Sequence, residues 1–259
     1  MPAELKSTAH GRTMVLTISN PEHRNALAPE MYAAGVEALN VAESNAEVRS
    51  VVLTGEGKIF CAGGNLQRLQ SNRQQPPEVQ AQSIEGLHSW IDAIRTFPKP
   101  VIAAVEGPAA GAGFSLCLAC DMLVAAEDAF FVMSYVNVAL SPDGGATWHL
   151  SRMLPRHIAS EILMIGDRIG AQRLHELGVV NSIAAAGAAL TDALALAEKL
   201  NAKAPNAVAS MKELMNDAAD STLARQLAAE RDHFVKNLHH ANAGEGIAAF
   251  LAKRPPKYE

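Results

Sequence analysis

Two stretches of this chain lose their large side chains just where a strand should give way to a turn. They are "IFCAGGNL" (Ile59–Leu66) and "EGPAAGAGFSLCLACD" (Glu106–Asp121). Backbone bared in this way lets N–H groups approach a ligand closely. The spacing excludes three familiar uses. A dinucleotide fingerprint needs G-x-G-x-x-G, and Gly111-Ala-Gly113-Phe-Ser-Leu116 lacks the third glycine. A phosphate loop ends in Gly-Lys-Ser/Thr, and neither stretch holds a lysine. A serine elbow needs G-x-S-x-G, but Cys117 stands where the last glycine should be. A fourth use fits: one N–H from each turn converges on a single carbonyl oxygen and holds it as it becomes an oxyanion. The apolar segment after the second turn reads as a helix, whose N-terminus adds partial positive charge.

Asp143, in "SPDGG", supports two readings. It is either a carboxylate facing those turns or the cap of the helix that starts in "GGATWHLSRML". Trp148 and His149 on that helix read as packing or surface residues, while Tyr135 and Asn137 are candidate hydrogen-bond donors to a polar ligand. Cys117 and Cys120 form a C-x-x-C, but no second pair or spaced histidines complete a metal site. Inside "LCLAC" they read as small core residues. No metal is expected.

These residues need a scaffold, and the first half alternates strand and helix signals. "TMVLTIS", "SVVLTG" and "PVIAAVEG" are short β-branched or apolar runs ended by turn residues. Between them, "PEMYAAGVEALNVAES" and "PEVQAQSIEGLHSWIDAIRTF" open with Pro-Glu and repeat apolar residues at helical spacing. That alternation predicts crossover units and a largely parallel sheet. "SNRQQPPEVQ" (Ser71–Gln80) reads as an exposed loop near the site. From about Leu140 the chain reads as nearly all helix apart from "LGVVNSI", with apolar faces suited to a neighbouring subunit.

Composition narrows the class. The 259 residues are 49% hydrophobic and 19% charged, ordinary for a globular enzyme, with a formal net charge of −5. No basic run or basic helical face invites nucleic acid or an acidic membrane. The opening "MPAELKSTAH" lacks the apolar core of a secretory signal, and three cysteines fit a reducing compartment, so the expectation is a cytoplasmic protein.

Taken together and in order, "TISNPEHRNAL", "FCAGGNL", "EGPAAGAGFSLCLACD", "LSPDGGATWHLSRMLP" and "GEGIAAFLAKR" resemble the crotonase (enoyl-CoA hydratase/isomerase) superfamily along nearly the whole chain. The resemblance implies an α/β fold, a crotonase-like spiral of β-β-α units with a helical C-terminal trimerisation region. It implies a core over residues 1–200, an oligomerisation region over 201–259, and a homotrimer or dimer of trimers. The substrate is an acyl-CoA thioester, with coenzyme A as part of the substrate and no separate cofactor. The oxyanion donors carry over to the backbone N–H groups of Gly64 and Ala112. Arg24 and Ala26 match the coenzyme A loop, while Ala62, Asn65 and Leu66 flank the thioester arm. Phe250 and Lys253 match residues that reach the nucleotide end, often across a subunit boundary.

The departures from the family pattern bear on the reaction. Hydratases of the family place water with two glutamates, and this chain has Ser115 and Tyr135 at those positions. Neither hydroxyl is a general base near neutral pH without an activating partner. Asp143 falls where isomerases and dehalogenating members carry an acid, and the surrounding "PD-GG-TW" resembles isomerases of ring-bearing acyl-CoAs in aromatic-acid breakdown. The expected reaction is isomerisation, or hydrolytic opening, of an unsaturated or ring-derived acyl-CoA through a thioester enolate. A hydratase with atypical water placement and a non-catalytic acyl-CoA-binding subunit are the alternatives.

Overall fold

The computed structural model describes residues 3–259; Met1 and Pro2 of the opening stretch lie outside them. The chain runs β1 (Glu4–His10), β2 (Thr13–Ser19), α1 (Pro29–Ser44), β3 (Ser50–Gly55), α2 (Leu66–Asn72), α3 (Pro77–Thr96), β4 (Val101–Val105), β5 (Pro108–Ala110) and α4 (Ala112–Ala119). It continues through β6 (Met122–Ala126), β7 (Phe130–Val132), α5 (Ala146–Met153), α6 (Arg156–Ile165), β8 (Ile169–Gly170), α7 (Ala171–Glu176) and β9 (Ser182–Ala184). Four helices close it: α8 (Ala189–Asn201), α9 (Pro205–Ala218), α10 (Leu223–Leu238) and α11 (Ala241–Leu251).

The main sheet has the order β1-β2-β3-β4-β6-β9 and is parallel throughout except for the β1–β2 hairpin. Its central strands are covered on both faces: every residue of β4 is buried, and all of β3 but its last glycine. Helix α8 lies against β3, β4 and β6 and is fitted to them by Ala189, Ala193 and Ala197, all fully buried at a spacing of four. On α1, Gly35 leaves a notch for the Trp90 indole of α3; a Cβ there would come within 2.3 Å of the ring. A second, smaller sheet of β5, β7 and β8 delivers the chain into α4 through β5.

The two acids that frame the bare stretch turn out to be anchors. The Glu106 carboxylate accepts from the N–H groups of Gly187 and Ala189 at 3.0 and 2.7 Å, capping α8 from a distant strand end. Asp121 accepts from the Val101 N–H at 2.8 Å and from Lys212 Nζ of α9 at 2.7 Å. Lys212 is itself buried and donates as well to the Ile94 and Lys99 carbonyls, at 2.9 and 3.3 Å. This cluster ties the last helical region to the sheet. Side-chain amides continue the link outward, since Asn206 bridges Asn237 and Asn242 at 2.7 and 2.8 Å. The three cysteines are free and buried, as core residues, and burial pushes the Cys61 thiol up to about 12.

The three strands predicted for the crossover core match β2, β3 and β4 closely. β1 was not expected, since its seven residues are mostly exposed and polar, and its identity as a strand comes from pairing with β2. The loop expected over Ser71–Gln80 is much shorter: α2 extends to Asn72 and α3 begins at Pro77. Removing Lys212 takes away the cation beside Asp121 and leaves it the Val101 N–H as a donor. Lys212→Met is expected to lower unfolding free energy by about 1–3 kcal/mol, measured by urea unfolding, and Asp121→Asn in the same chain to recover part of the loss.

Candidate active site

The two bare turns lie side by side although about fifty residues separate them. Phe60 N donates to the Glu106 carbonyl (2.8 Å), Cys61 N to Pro108 (3.1 Å) and Ala110 N back to Cys61 (2.8 Å). On its other flank the first turn is stitched to the Arg24–Leu27 loop, with Ala62 N donating to Arg24 O (3.1 Å) and Leu27 N to Gly63 O (2.8 Å). This packing explains the missing side chains. A Cβ on Gly63, whose φ is +85°, would sit 2.6 Å from the Ala110 carbonyl, and one on Gly113 would sit 2.7–2.8 Å from Cys61. Gly111, at φ +50°, turns the chain into α4 while its N–H holds the Val132 carbonyl at 2.9 Å. Among the described residues no protein group accepts the N–H of Gly64 or of Ala112, the first residue of α4. Both line one cavity of about 600 Å³.

Asp143 lines the same cavity and is the one carboxylate among its described lining residues. Two contacts hold it there. The buried Ser115 hydroxyl of α4 donates to the Asp143 carbonyl at 3.0 Å, and Gly144 passes so close that a Cβ would lie 2.8 Å from Ser115 Cβ. Tyr135, on a 3-10 turn spanning Ser134–Val138, donates its hydroxyl to Asp143 Oδ1 at 2.5 Å. Burial, and then the Asp143 charge, push the Tyr135 phenol well above its ordinary pKa, so it stays protonated as the donor. The carboxylate is not a helix cap: Gly145 occupies the cap of α5 with no side-chain acceptor. The cap reading of Asp143 is thereby corrected. Only its backbone carbonyl serves the helix, accepting from Ala146 N at 3.3 Å.

The other expected residues divide. Ala62 and Leu66 line the cavity with Gly64, and Tyr135 and Asn137 border it near Asp143. Asn65 caps α2, its Oδ1 accepting from Arg68 N at 3.1 Å. Arg24 is exposed and left-handed at φ 54°, and Ala26 is buried beneath it; neither lines the cavity. Phe250 is 84% exposed and Lys253 is exposed, both outside the cavity within one chain. Trp148 does not wall Asp143 but stacks between the guanidiniums of Arg95 (4.2 Å) and Arg152 (4.0 Å). His149 is buried edge-on to Trp148, and burial followed by those arginines lowers its pKa to about 4, which keeps it neutral and out of proton transfer near pH 7. Tyr32 and Arg68, both lining the cavity, were not anticipated. The signal for Arg68 was present in Asn65 as a helix cap, which places residue 68 on the first turn of a helix beside the glycines.

The enoyl-CoA hydratase/isomerase family description matches residues 9–259, essentially the whole chain. The chain belongs to that family. It is similar to the 1,2-epoxyphenylacetyl-CoA isomerase of Escherichia coli, 35% identical over 95% of this chain and 94% of that one. It is also similar to the 2,3-dehydroadipyl-CoA hydratase of Escherichia coli, 31% identical over 99% of both. A crystal structure titled as an enoyl-CoA hydratase from Polaromonas sp. JS666 superposes with a TM-score of 0.98 at 70% identity, covering 99% of this chain and 100% of the other. The crotonase fold inferred from the motifs is thus shown. Among the described residues no helix is long and apolar enough to cross a membrane.

Because Gly113 lies where two backbones touch, Gly113→Ala is expected to lose stability by about 1–3 kcal/mol instead of gaining from better helix propensity. Thermal unfolding checks this, and a parallel titration with coenzyme A thioesters should show weaker binding as the turns part.

Proposed function

We propose that this protein is an acyl-CoA isomerase of the family, in which Asp143 moves a proton on the acyl chain while the N–H groups of Gly64 and Ala112 hold the thioester oxygen. The observation that carries this reading is the lone carboxylate of the cavity, fixed by Tyr135 and released from helix capping. In the first half-step the C–H bond next to the thioester breaks, the proton passes to Asp143, and the electron pair moves into the thioester as an enolate. Two N–H donors at the start of α4 and in the facing turn favour that charge. In the second half-step the electron pair returns and Asp143 delivers the proton to another carbon of the conjugated chain, so the double bond shifts and the carboxylate is restored. For a ring-derived acyl group with a second carbonyl, water adds to that carbonyl, the ring C–C bond to the carbon next to the thioester breaks with its electron pair passing into the held enolate, and a proton then returns to that carbon.

Ser115 and Tyr135 serve this carboxylate instead of acting as bases themselves. Ser115 fixes the backbone of Asp143, and the phenol of Tyr135 engages one carboxylate oxygen, Oδ1, and leaves Oδ2 out of that bond. Water addition to a straight-chain 2-enoyl-CoA is slow on this reading, because two glutamates, each giving roughly 10²–10⁴-fold through acid–base catalysis, are replaced by hydroxyls. Turnover of such a substrate at the rate of ordinary hydratases would favour the hydratase alternative.

We further propose that residues 201–259 form the oligomerisation region of a trimer or pair of trimers. Leu223, Phe234, Phe250 and Leu251 are all more than two-thirds exposed on α10 and α11, which is support for a covering partner.

Asp143→Asn keeps the shape of the side chain and removes the base. A fall of about 10²-fold or more in kcat is expected on whichever acyl-CoA of a straight-chain, aromatic and ring-opened panel the wild type turns over, with thermal stability little changed. Lost stability with a retained rate would return Asp143 to a structural role. Tyr135→Phe should lower kcat by a smaller factor, about tenfold, because the carboxylate loses the bond that fixes its direction. An unchanged kcat would show that the phenol does not position the carboxylate.

A further inference from the structure

Arg68 brings a positive charge to the wall of the acyl cavity without an acid to match it. Its Nε is buried with no hydrogen-bond partner, and among the described residues no carboxylate lies within ion-pair distance of the guanidinium. The neighbouring Tyr32 phenol, 5% exposed, offers no countercharge, because burial raises its pKa by more than the adjacent Arg68 lowers it. Asp143, on the same cavity, is engaged by Tyr135 and not by Arg68. Leu69, Ile84 and Leu87 supply apolar surface around the charge. A part-buried cation in such surroundings is costly unless an anion meets it.

Helix α3 adds donors to the lining of the same cavity. Gln80 accepts from Asn72 Nδ2 at 2.7 Å through its carbonyl oxygen, which leaves its NH2 group free to donate, and the Ser83 hydroxyl lies one turn further along. Planar guanidinium, amide N–H and hydroxyl together match the two oxygens of a carboxylate. The position also separates this site from the coenzyme. Arg68 shares the inner wall with buried Tyr32, whereas Arg24 of the coenzyme loop stands exposed outside the cavity.

We propose that the cavity is shaped for an acyl group carrying a second carboxylate away from the thioester, and that Arg68 is the residue that recognises it. This rests on the reading that the cavity holds the acyl group beside Asp143, and it names the substrate class of that same site.

The test is an equilibrium one, so that it does not depend on whether Asp143 is the base. A short series of saturated acyl-CoA thioesters and their ω-carboxylate counterparts of equal chain length is titrated calorimetrically against the wild-type protein, Arg68→Gln and Arg68→Lys. At the chain length that spans the cavity, the wild type should bind the ω-carboxylate member about tenfold or more tightly than its neutral counterpart. In Arg68→Gln that ratio should fall to about one, and Arg68→Lys should keep a ratio between the two. A wild-type ratio near one at every chain length would overturn the proposal. So would a ratio that survives in Arg68→Gln, or a weakening of both members alike, which would assign Arg68 to a phosphate of the coenzyme. Failure of the Asp143 reading shows separately, as retained turnover in Asp143→Asn.

Discussion

The closeness of two backbones governs this structure. The turn at Gly63 and the start of α4 at Gly113 approach until no Cβ fits between them, and hydrogen bonds from Phe60, Cys61 and Ala110 fix that contact. Everything large has been moved elsewhere. Bulk returns immediately beneath, where Phe60, Phe114 and Phe131 are fully buried and give the turns a rigid floor. The strands that deliver the turns are apolar on both faces, so neither can slide without exposing core. Glu106 and Asp121 then tie the frame of the second turn to α8 and α9, which lets the C-terminal helices bear on a site to which they contribute no lining residue.

Asp143 depends on the same contact from the other side. Ser115 stands on α4 one turn after the unpaired N–H of Ala112, and it is this hydroxyl that pins the Asp143 backbone. The Asp143 backbone and the unpaired N–H of Ala112 are therefore positioned by one short helix. Tyr135 adds a neutral, buried phenol whose proton cannot leave in the working pH range. A donor of this kind holds one carboxylate oxygen and gives the side chain a defined direction. Two hydroxyls thus support one carboxylate, in place of two glutamates acting on water.

Most of this was legible from the residues, and the reasons are particular. Val51–Leu53 and Val101–Val105 declare buried parallel strands because a continuous apolar run has few other uses. The glycines at 63, 111 and 113 announced close approach, since only a neighbouring backbone explains so many at once. β1 was hidden because an exposed hairpin strand of mixed polarity is defined by its partner and not by its own pattern. Asp143 looked equally like a cap, and only the placement of Gly145 at the start of α5 separates the two roles. Trp148 reads as a packing or surface residue, and two arginines claim its faces: Arg152 is one helical turn away on α5, whereas Arg95 comes from α3 and nothing local in sequence foretells it. Arg68 was passed over because a lone arginine in a polar run reads as solvated surface until the cavity around it is seen.

The central claim is that one carboxylate moves protons on an acyl chain whose thioester oxygen is held by two backbone N–H groups. Solvent exchange reads that step without requiring net reaction. The wild type and Asp143→Asn are incubated with acyl-CoA thioesters in deuterium oxide, and deuterium entering the carbon next to the thioester is followed by mass spectrometry. The account predicts exchange catalysed by the wild type and slowed by about 10²-fold or more in Asp143→Asn. Exchange at the same rate in both proteins would contradict it.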